Sequence, residues 1–340
     1  MNELITSLSA SLDTNYSLSQ LSSDDRQIVY TLILSRLPQA GEPLSLAAAH
    51  HFEQPGKMLR ARMVMRGAHL LSVDNAAAVR WAAAVELLHN ASLVHDDICD
   101  GDKLRRGQQA VWAKFGRHVA LTLGDWLIAL SFELASEAAQ IAKTPKLVTL
   151  LARHMAITTA GEAMEFEFDR KNDWDSYLKI AADKTAPLLT APLQGVAIMA
   201  LDARAEIVVV SYFRYLGKAY QIANDILNFD GKDGAKSVGS DLSRRAPNAV
   251  TLSFRNGLTP VKQAEFDTWY EAGDNAALAD WQCAIRHSDA MLRAGRCMLS
   301  ILDDAETKAE SLSVEIYEVI SPVHALLKRV CLNSVKHLKV

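Results

Sequence analysis

Alternating strand patterns and Asn-Gly hairpin signals are scarce in this chain of 340 residues, and helix-breaking residues are few, with 16 glycines and 9 prolines. A fold built from many short strands and tight turns is thereby excluded. Cysteine is equally sparse. Cys99, Cys283, Cys297 and Cys331 lie far apart, with no CxxC pair and no zinc spacing. They predict reduced thiols in a cytoplasmic protein and rule out a disulfide framework. A dense basic cluster is also missing, and the net charge is -4 with a pI near 6.2, so nucleic acid is not an expected partner. The N-terminal MNELITSLSASLDTNYSLSQ lacks the basic and apolar parts of a signal peptide. The most apolar later stretch, TAPLQGVAIMALDARAEIVVVSYF, is broken by Asp202, Arg204 and Glu206. No transmembrane segment is expected.

What is present is helix. Apolar residues make up 49% of the chain and charged residues 22%, and the apolar ones recur at spacings of three and four. Helix ends are predicted near Pro38, Pro55, Gly101, Gly116, Pro145, Gly161, Gly231 and Gly257. No fixed repeat, low-complexity tract or linker divides the sequence. The expected fold is all-α, a large single-domain helical bundle over residues 1–340.

Two stretches carry chemistry. In VELLHNASLVHDDICDGDKLRRG, residues 85–107, a helix ending near Gly101 places Asp96, Asp97 and Asp100 in its last turn, where the helix dipole opposes negative charge. Carboxylates kept there imply a cation. Asp96 and Asp100 share one face, and Mg²⁺ takes one or two carboxylates together with phosphate oxygens. Arg105 and Arg106 follow, and guanidinium groups fork onto phosphate. Taken alone, the string is equally a solvated acidic loop. The second stretch, QIANDILNFD, residues 221–230, places Asn224, Asp225 and Asn228 about one turn apart, with amides at two of three positions.

DDICDGDKLRRG resembles the first aspartate-rich motif of the trans-isoprenyl diphosphate synthases, the polyprenyl synthetase family. PGKMLRAR, LTLGDWLIALSFEL, DKTAPLL, AYQIANDILNF and AKSVGSDL resemble its other segments, in the family's order, over about residues 50–250. The resemblance implies a deep central cavity with the two motif helices facing across it. It implies that Lys57, Arg60, His89 and Arg106 hold the diphosphate of isopentenyl diphosphate. Arg105, Lys184 and Lys236 would hold an allylic prenyl diphosphate, with Thr185 and Gln221 nearby. Three Mg²⁺ per site would lie among Asp96, Asp97, Asp100, Asn224, Asp225 and Asn228. The implied reaction joins the two substrates into a longer all-trans chain, and the implied assembly is a homodimer.

The chain departs from the family at several places. Asn224 and Asn228 stand where aspartates are usual, which predicts a weakly held ion and a high Mg²⁺ requirement. RRAPNAVTL replaces a late Lys-Thr-Leu-Pro segment, leaving Arg244 or Arg245 to substitute for the lysine. Met58 and Ala61 replace Arg and Pro. Asn224 also resembles the start of the second motif in class I terpene cyclases, but Asn228 and Lys232 do not continue it. The retained isopentenyl-binding set argues against a non-isoprenoid acceptor, and the intact first motif against a catalytically silent subunit. Small residues at Ser92 and Ala91, with Leu88 one turn deeper, predict a product of C20 or longer. His95 is expected to pack beside the motif. Glu162, Glu165 and Glu167 are expected on a partly exposed helix face, and Trp112, Trp126 and Phe132 in the core or cavity wall.

Overall fold

The computed structural model describes residues 23–166, 173–230, 239–273, 275–336 and 338. Lys236, Glu167 and Gly231 lie outside the described residues. In chain order come α1 (Ser23–Arg36), α2 (Ser45–Phe52), α3 (Leu59–Leu70) and α4 (Asn75–Asp100), then a two-residue antiparallel pair, β1 (Leu104–Arg105) with β2 (Gln108–Gln109). Next are α5 (Val111–Phe115), α6 (Arg117–Ile141), α7 (Lys146–Phe166), α8 (Trp174–Met199) and α9 (Ala203–Asp230). The last third holds α10 (Ser240–Arg244), α11 (Ala249–Asn256), α12 (Pro260–Ala272), α13 (Leu278–His287), α14 (Ala290–Ala309) and α15 (Val314–Val335). The fold is an all-α bundle, as the spacing of apolar residues predicts.

Two apolar cores fill it. One gathers α9 with α11, α14 and α15, and the other gathers α1, α4, α6 and α7; α3 and α8 contribute side chains to both. Helix α4 is the spine of the second core. Asp74 caps it by accepting from the Ala77 amide at 3.0 Å. Gly101 ends it in the left-handed conformation, φ 69°, its N–H returning to the Asp97 carbonyl. Asp96 and Asp100 therefore sit in the final turn, as expected.

Helix α8 carries Pro187 and Pro192 in its interior without breaking. A proline lacks the N–H that would bond four residues back. The carbonyl that Pro192 leaves open, that of Leu188, accepts instead from Arg60 Nε at 2.8 Å. Trp81 Nε1 donates to the Pro192 carbonyl at 3.2 Å, tying α4 to α8.

The predicted break at Gly161 does not occur. Gly161 lies inside α7, where a Cβ would stand 2.7 Å from the Lys184 nitrogen and 2.8 Å from the Asp183 carbonyl carbon. Glycine is there for close approach of α7 to α8 rather than for a turn. Helix α6 is long and apolar enough to cross a membrane by length and composition, which the sequence reading did not anticipate. It packs along α4.

Candidate active site

Helices α4 and α9 form opposite walls of a cavity of about 590 Å³, completed by α7, α8, α10 and the turn after Gly101. On the α4 side, Asp96 and Asp100 meet Glu162 and Glu165 from α7 around the ammonium of Lys184 from α8. Lys184 Nζ lies 2.9 Å from Glu162 and 2.5 Å from Glu165. Burial alone would lower the lysine, but Glu165 and Glu162 outweigh it and raise it. Burial pushes the Asp96 carboxyl up to about 7; Lys184 pulls against this, and Glu162 and Asp100 add to it. Four carboxylates against Lys184, with Arg244 reaching Asp100 from the far wall, leave a net negative charge that a divalent cation would satisfy. Glu162 and Glu165 are partly exposed, as expected, but the surface they expose is the cavity wall, so the sequence reading missed them as site residues. Gly161 is the reason they reach, because it brings α7 against the turn of α8 that carries Lys184.

Asp97 points elsewhere. It is buried, and its Oδ1 accepts from Arg105 Nε at 2.9 Å and from Nη2. The structure therefore pairs Asp97 with Arg105 instead of bringing it to the cavity wall with Asp96 and Asp100. Arg105 reaches the cavity edge with its charge already matched.

A second, smaller pocket of about 40 Å³ brings together Lys57, Arg60, His89 and Arg106, which come from the turn before α3, from α3, from α4 and from β1–β2. Burial lowers Lys57 and pushes Arg60 down to about 10. Burial, then Arg60 and Arg106, hold His89 well below the usual histidine range, so it is a neutral hydrogen-bonding group. Arg106 Nη1 donates to the Gln54 carbonyl. Thr185 lines both pockets, so the cationic and acidic chambers meet at its side chain, mid-helix in α8.

The α9 wall is committed to internal bonds. Asp225 Oδ2 accepts from Tyr177 Oη at 2.6 Å and from the Ala249 amide at 2.7 Å, and Oδ1 accepts from Gln221 Nε2 at 3.0 Å. Burial raises Asp225 to about 8. Asn228 Nδ2 donates to Ser240 Oγ at 2.8 Å, and its Oδ1 accepts from the Asp241 amide at 3.4 Å. Thr185 donates to Gln221 Oε1 at 3.3 Å. The Oδ1 of Asn224, at the cavity wall, is buried without a hydrogen-bond partner among the described residues. Asp241, which the sequence reading did not single out, accepts from Arg244 at 2.9 Å and from Asn248 Nδ2 at 2.9 Å. Arg244 also reaches Asp100 Oδ1 at 2.6 Å. Arg245 turns away and stacks on Trp269, 3.9 Å from the ring centre.

Of the three chain-length positions, Ser92 lines the large cavity. Ala91 and Leu88 do not; both are packed into the second core. His95 packs between helices, donating from Nε2 to the Leu121 carbonyl at 3.2 Å. Among the described residues no three His, Cys, Asp or Glu close on one point as a ready metal cage. An ion here would take part of its ligands from a substrate's phosphate oxygens.

Residues 42–286 match the family model described as Polyprenyl synthetase. The octaprenyl diphosphate synthase of Escherichia coli (strain K12) is 26% identical over 270 residues, covering 77% of this chain and 82% of that protein. The geranylgeranyl diphosphate synthase of Saccharolobus solfataricus is 33% identical over 239 residues, covering 65% and 72%. Among solved structures, a decaprenyl diphosphate synthase from Rhodobacter capsulatus superposes with a TM-score of 0.79 at 22% identity, over 97% of this chain and 99% of that one. A polyprenyl synthase from Caulobacter crescentus, complexed with calcium and isoprenyl diphosphate, superposes at 0.71 with 26% identity over 99% and 98%.

Proposed function

We propose a reaction for this chain from one premise: it belongs to the polyprenyl synthetase family and is a trans-polyprenyl diphosphate synthase, a prenyltransferase. The substrates are an allylic prenyl diphosphate in the large cavity and isopentenyl diphosphate in the small one. The observation that carries this assignment is the pair of chambers of opposite charge meeting at Thr185. Lys57, Arg60, Arg106 and neutral His89 suit one diphosphate. The acidic cavity suits a second diphosphate only when cations accompany it.

The family uses divalent metal ions, and we assign Mg²⁺, held by Asp96 and Asp100 with Glu162 and Glu165 close by. Bound there, such an ion would supply positive charge to the departing diphosphate. The chain's own groups do the rest. Lys184 and Arg105 hold the allylic diphosphate at the cavity mouth, and Lys236 is assigned to the same task from the family pattern alone. The small pocket fixes the homoallylic double bond at the side of Thr185, where it attacks the allylic carbon as the C–O bond breaks, and the proton then lost from the resulting cation goes to the departed diphosphate.

We assign a product of C20 or longer, from the small side chain of Ser92 on the cavity wall. A homodimer through α6 and α7 is supported by exposed apolar side chains on both helices, Leu121 and Ala129 on α6 and Ala156, Ile157, Ala160 and Ala163 on α7, interspersed with exposed Thr122, Asp125 and Arg153. Four free cysteines support a cytoplasmic setting, and we take residues 1–340 as one domain because α3 and α8 serve both cores. Incubation with labelled isopentenyl diphosphate and geranyl, farnesyl or geranylgeranyl diphosphate across a Mg²⁺ series tests the assignment. Elongated prenyl alcohols after phosphatase treatment are expected. An allylic substrate consumed without elongation would instead indicate cyclisation.

A further inference from the structure

The residues of the second motif do not fit the ion expected there. A hard divalent cation is held best by anionic oxygens, and among the described side chains of the second motif the one carboxylate, Asp225, has none free to give. Both oxygens of Asp225 are filled by Tyr177, Ala249 and Gln221, with the residue 2% exposed. Asn228 spends both ends of its amide on Ser240 and Asp241, which fixes the start of α10. What remains open is the neutral Oδ1 of Asn224.

A different cation already stands between the walls. Arg244, at the end of the α10 helix that Asn228 anchors, places Nη2 on Asp241 Oδ1 at 2.9 Å and Nη1 on Asp100 Oδ1 at 2.6 Å. It lines the large cavity and is partly exposed to it. The second oxygen of Asp241 is held by Asn248. On the α9–α10 side Arg244 thus faces Asp241 and reaches across to Asp100, while on the α4–α7 side Asp96, Glu162 and Glu165 line the cavity with Lys184.

We infer that Arg244 supplies, as a fixed guanidinium, the positive charge that a metal ion at the second motif would bring to the leaving diphosphate, so that ions are held on the α4 side alone. This rests on the synthase assignment above. It accounts for asparagine at 224 and 228: with Arg244 between the walls, carboxylates at those positions have no ion to hold. A guanidinium offers several N–H donors in a rigid fork suited to phosphate oxygens. It is also independent of free Mg²⁺, so the high Mg²⁺ requirement predicted from the sequence is not expected.

The test counts ions on the whole protein with inorganic pyrophosphate as the probe, using Mn²⁺ read by electron paramagnetic resonance and by titration calorimetry. No more than two Mn²⁺ per chain are expected. Arg244→Gln should weaken pyrophosphate binding at saturating Mn²⁺ by about tenfold to a hundredfold, the loss of a charge-assisted contact, and Arg244→Lys should restore part of it. A thermal melt of each variant establishes that it is folded; if Arg244→Gln is not, the wild-type ion count and Arg244→Lys decide. Three ions on a protein that elongates isopentenyl diphosphate would overturn the role of Arg244 and leave the synthase assignment standing. Pyrophosphate bound as tightly by Arg244→Gln as by wild type would overturn it too. Pyrophosphate bound with no ion, and no elongation, would overturn both.

Discussion

Arg60 is held in place by the carbonyl of Leu188, 2.8 Å from its Nε, and that carbonyl is open only because Pro192 lacks an N–H. A proline about two helical turns beyond Thr185 thus aims a guanidinium in the small pocket. Pro192→Ala supplies an N–H that competes with Arg60 for the Leu188 carbonyl. The expected result is a KM for isopentenyl diphosphate raised about two- to tenfold, the worth of one hydrogen bond, with kcat and the allylic KM nearly unchanged. Steady-state kinetics with each substrate varied in turn would check this, and an unchanged KM would remove the role given to Pro192.

Gly161 offers a separate handle on the acidic chamber. Its added Cβ would meet the backbone of Asp183 and Lys184, atoms that cannot rotate aside, so Gly161→Ala must push α7 away from α8. Overpacking of this kind costs about 1–3 kcal/mol. The expected outcome is a lower Tm together with a raised KM for the allylic substrate, because Glu162 and Glu165 move with α7. A lower Tm with intact allylic KM would mean that the two glutamates do not position Lys184.

Much of this was legible in the sequence for two reasons. Asp96 and Asp100 lie one turn apart on one helix, which fixes their shared face, whereas Lys57, Arg60 and Arg106 were assigned through segments that resemble the family's and come from separate elements that the fold brings to one pocket. The residues that were misread are those whose role depends on a neighbour far along the chain. Glu165 reads as a surface residue until Gly161 is seen to bring α7 onto Lys184. Asp97 differs from Asp96 by one position, about 100° of helix, and that rotation sends it to Arg105 instead of the cavity. Asp241 lies in a short helix whose placement depends on Asn228, and no spacing rule links the two.

The separation of Asp97 from Asp100 is itself testable. Asp97→Asn leaves Arg105 buried with a weaker partner, and breaking a buried pair costs on the order of 3 kcal/mol. It should lower Tm by several degrees and change Mn²⁺ affinity little. Asp100→Asn should do the reverse, weakening Mn²⁺ binding in the presence of pyrophosphate with a small change in Tm. Equal losses of Mn²⁺ affinity in both variants would return Asp97 to the ion's ligands.

The product length proposed above rests on Ser92, which lines the cavity. Ser92→Phe puts a ring into the cavity, and the expected products are shorter by one or more five-carbon units, read by mass after phosphatase treatment. Ala91→Phe is not an equivalent experiment. Ala91 has no exposed surface and is surrounded by the second core, so a ring there overpacks the core by about 1–3 kcal/mol. Its expected signature is a lower Tm. A shortened product from Ala91→Phe with unchanged Tm would show that the cavity floor lies deeper than Ser92.

Stability against acid follows from buried imidazoles. Burial pushes His51 down to about 3, with Arg106 adding to the effect and the hydrogen bond from Nε2 to Asn90 Oδ1 at 3.0 Å opposing it. Burial also lowers His89 and His154. The folded values lie below the unfolded value of about 6.5, so the unfolded chain binds more protons, and stability is lost as pH falls from about 6.5 toward 3. Asp96 and Asp225 act with the opposite sign, because their folded values of about 7 and 8 exceed the unfolded one. Their protonation gains stability as pH falls through that range. The two groups offset each other, so the wild-type curve alone decides little, and the difference between proteins is the measurement. Between pH 7 and 5.5, urea denaturation of wild type should lose about 1 kcal/mol more than that of His51→Gln, whose amide can still donate to Asn90 but takes up no proton. Parallel curves would mean that His51 does not stay neutral in the folded protein while the unfolded chain takes up the proton.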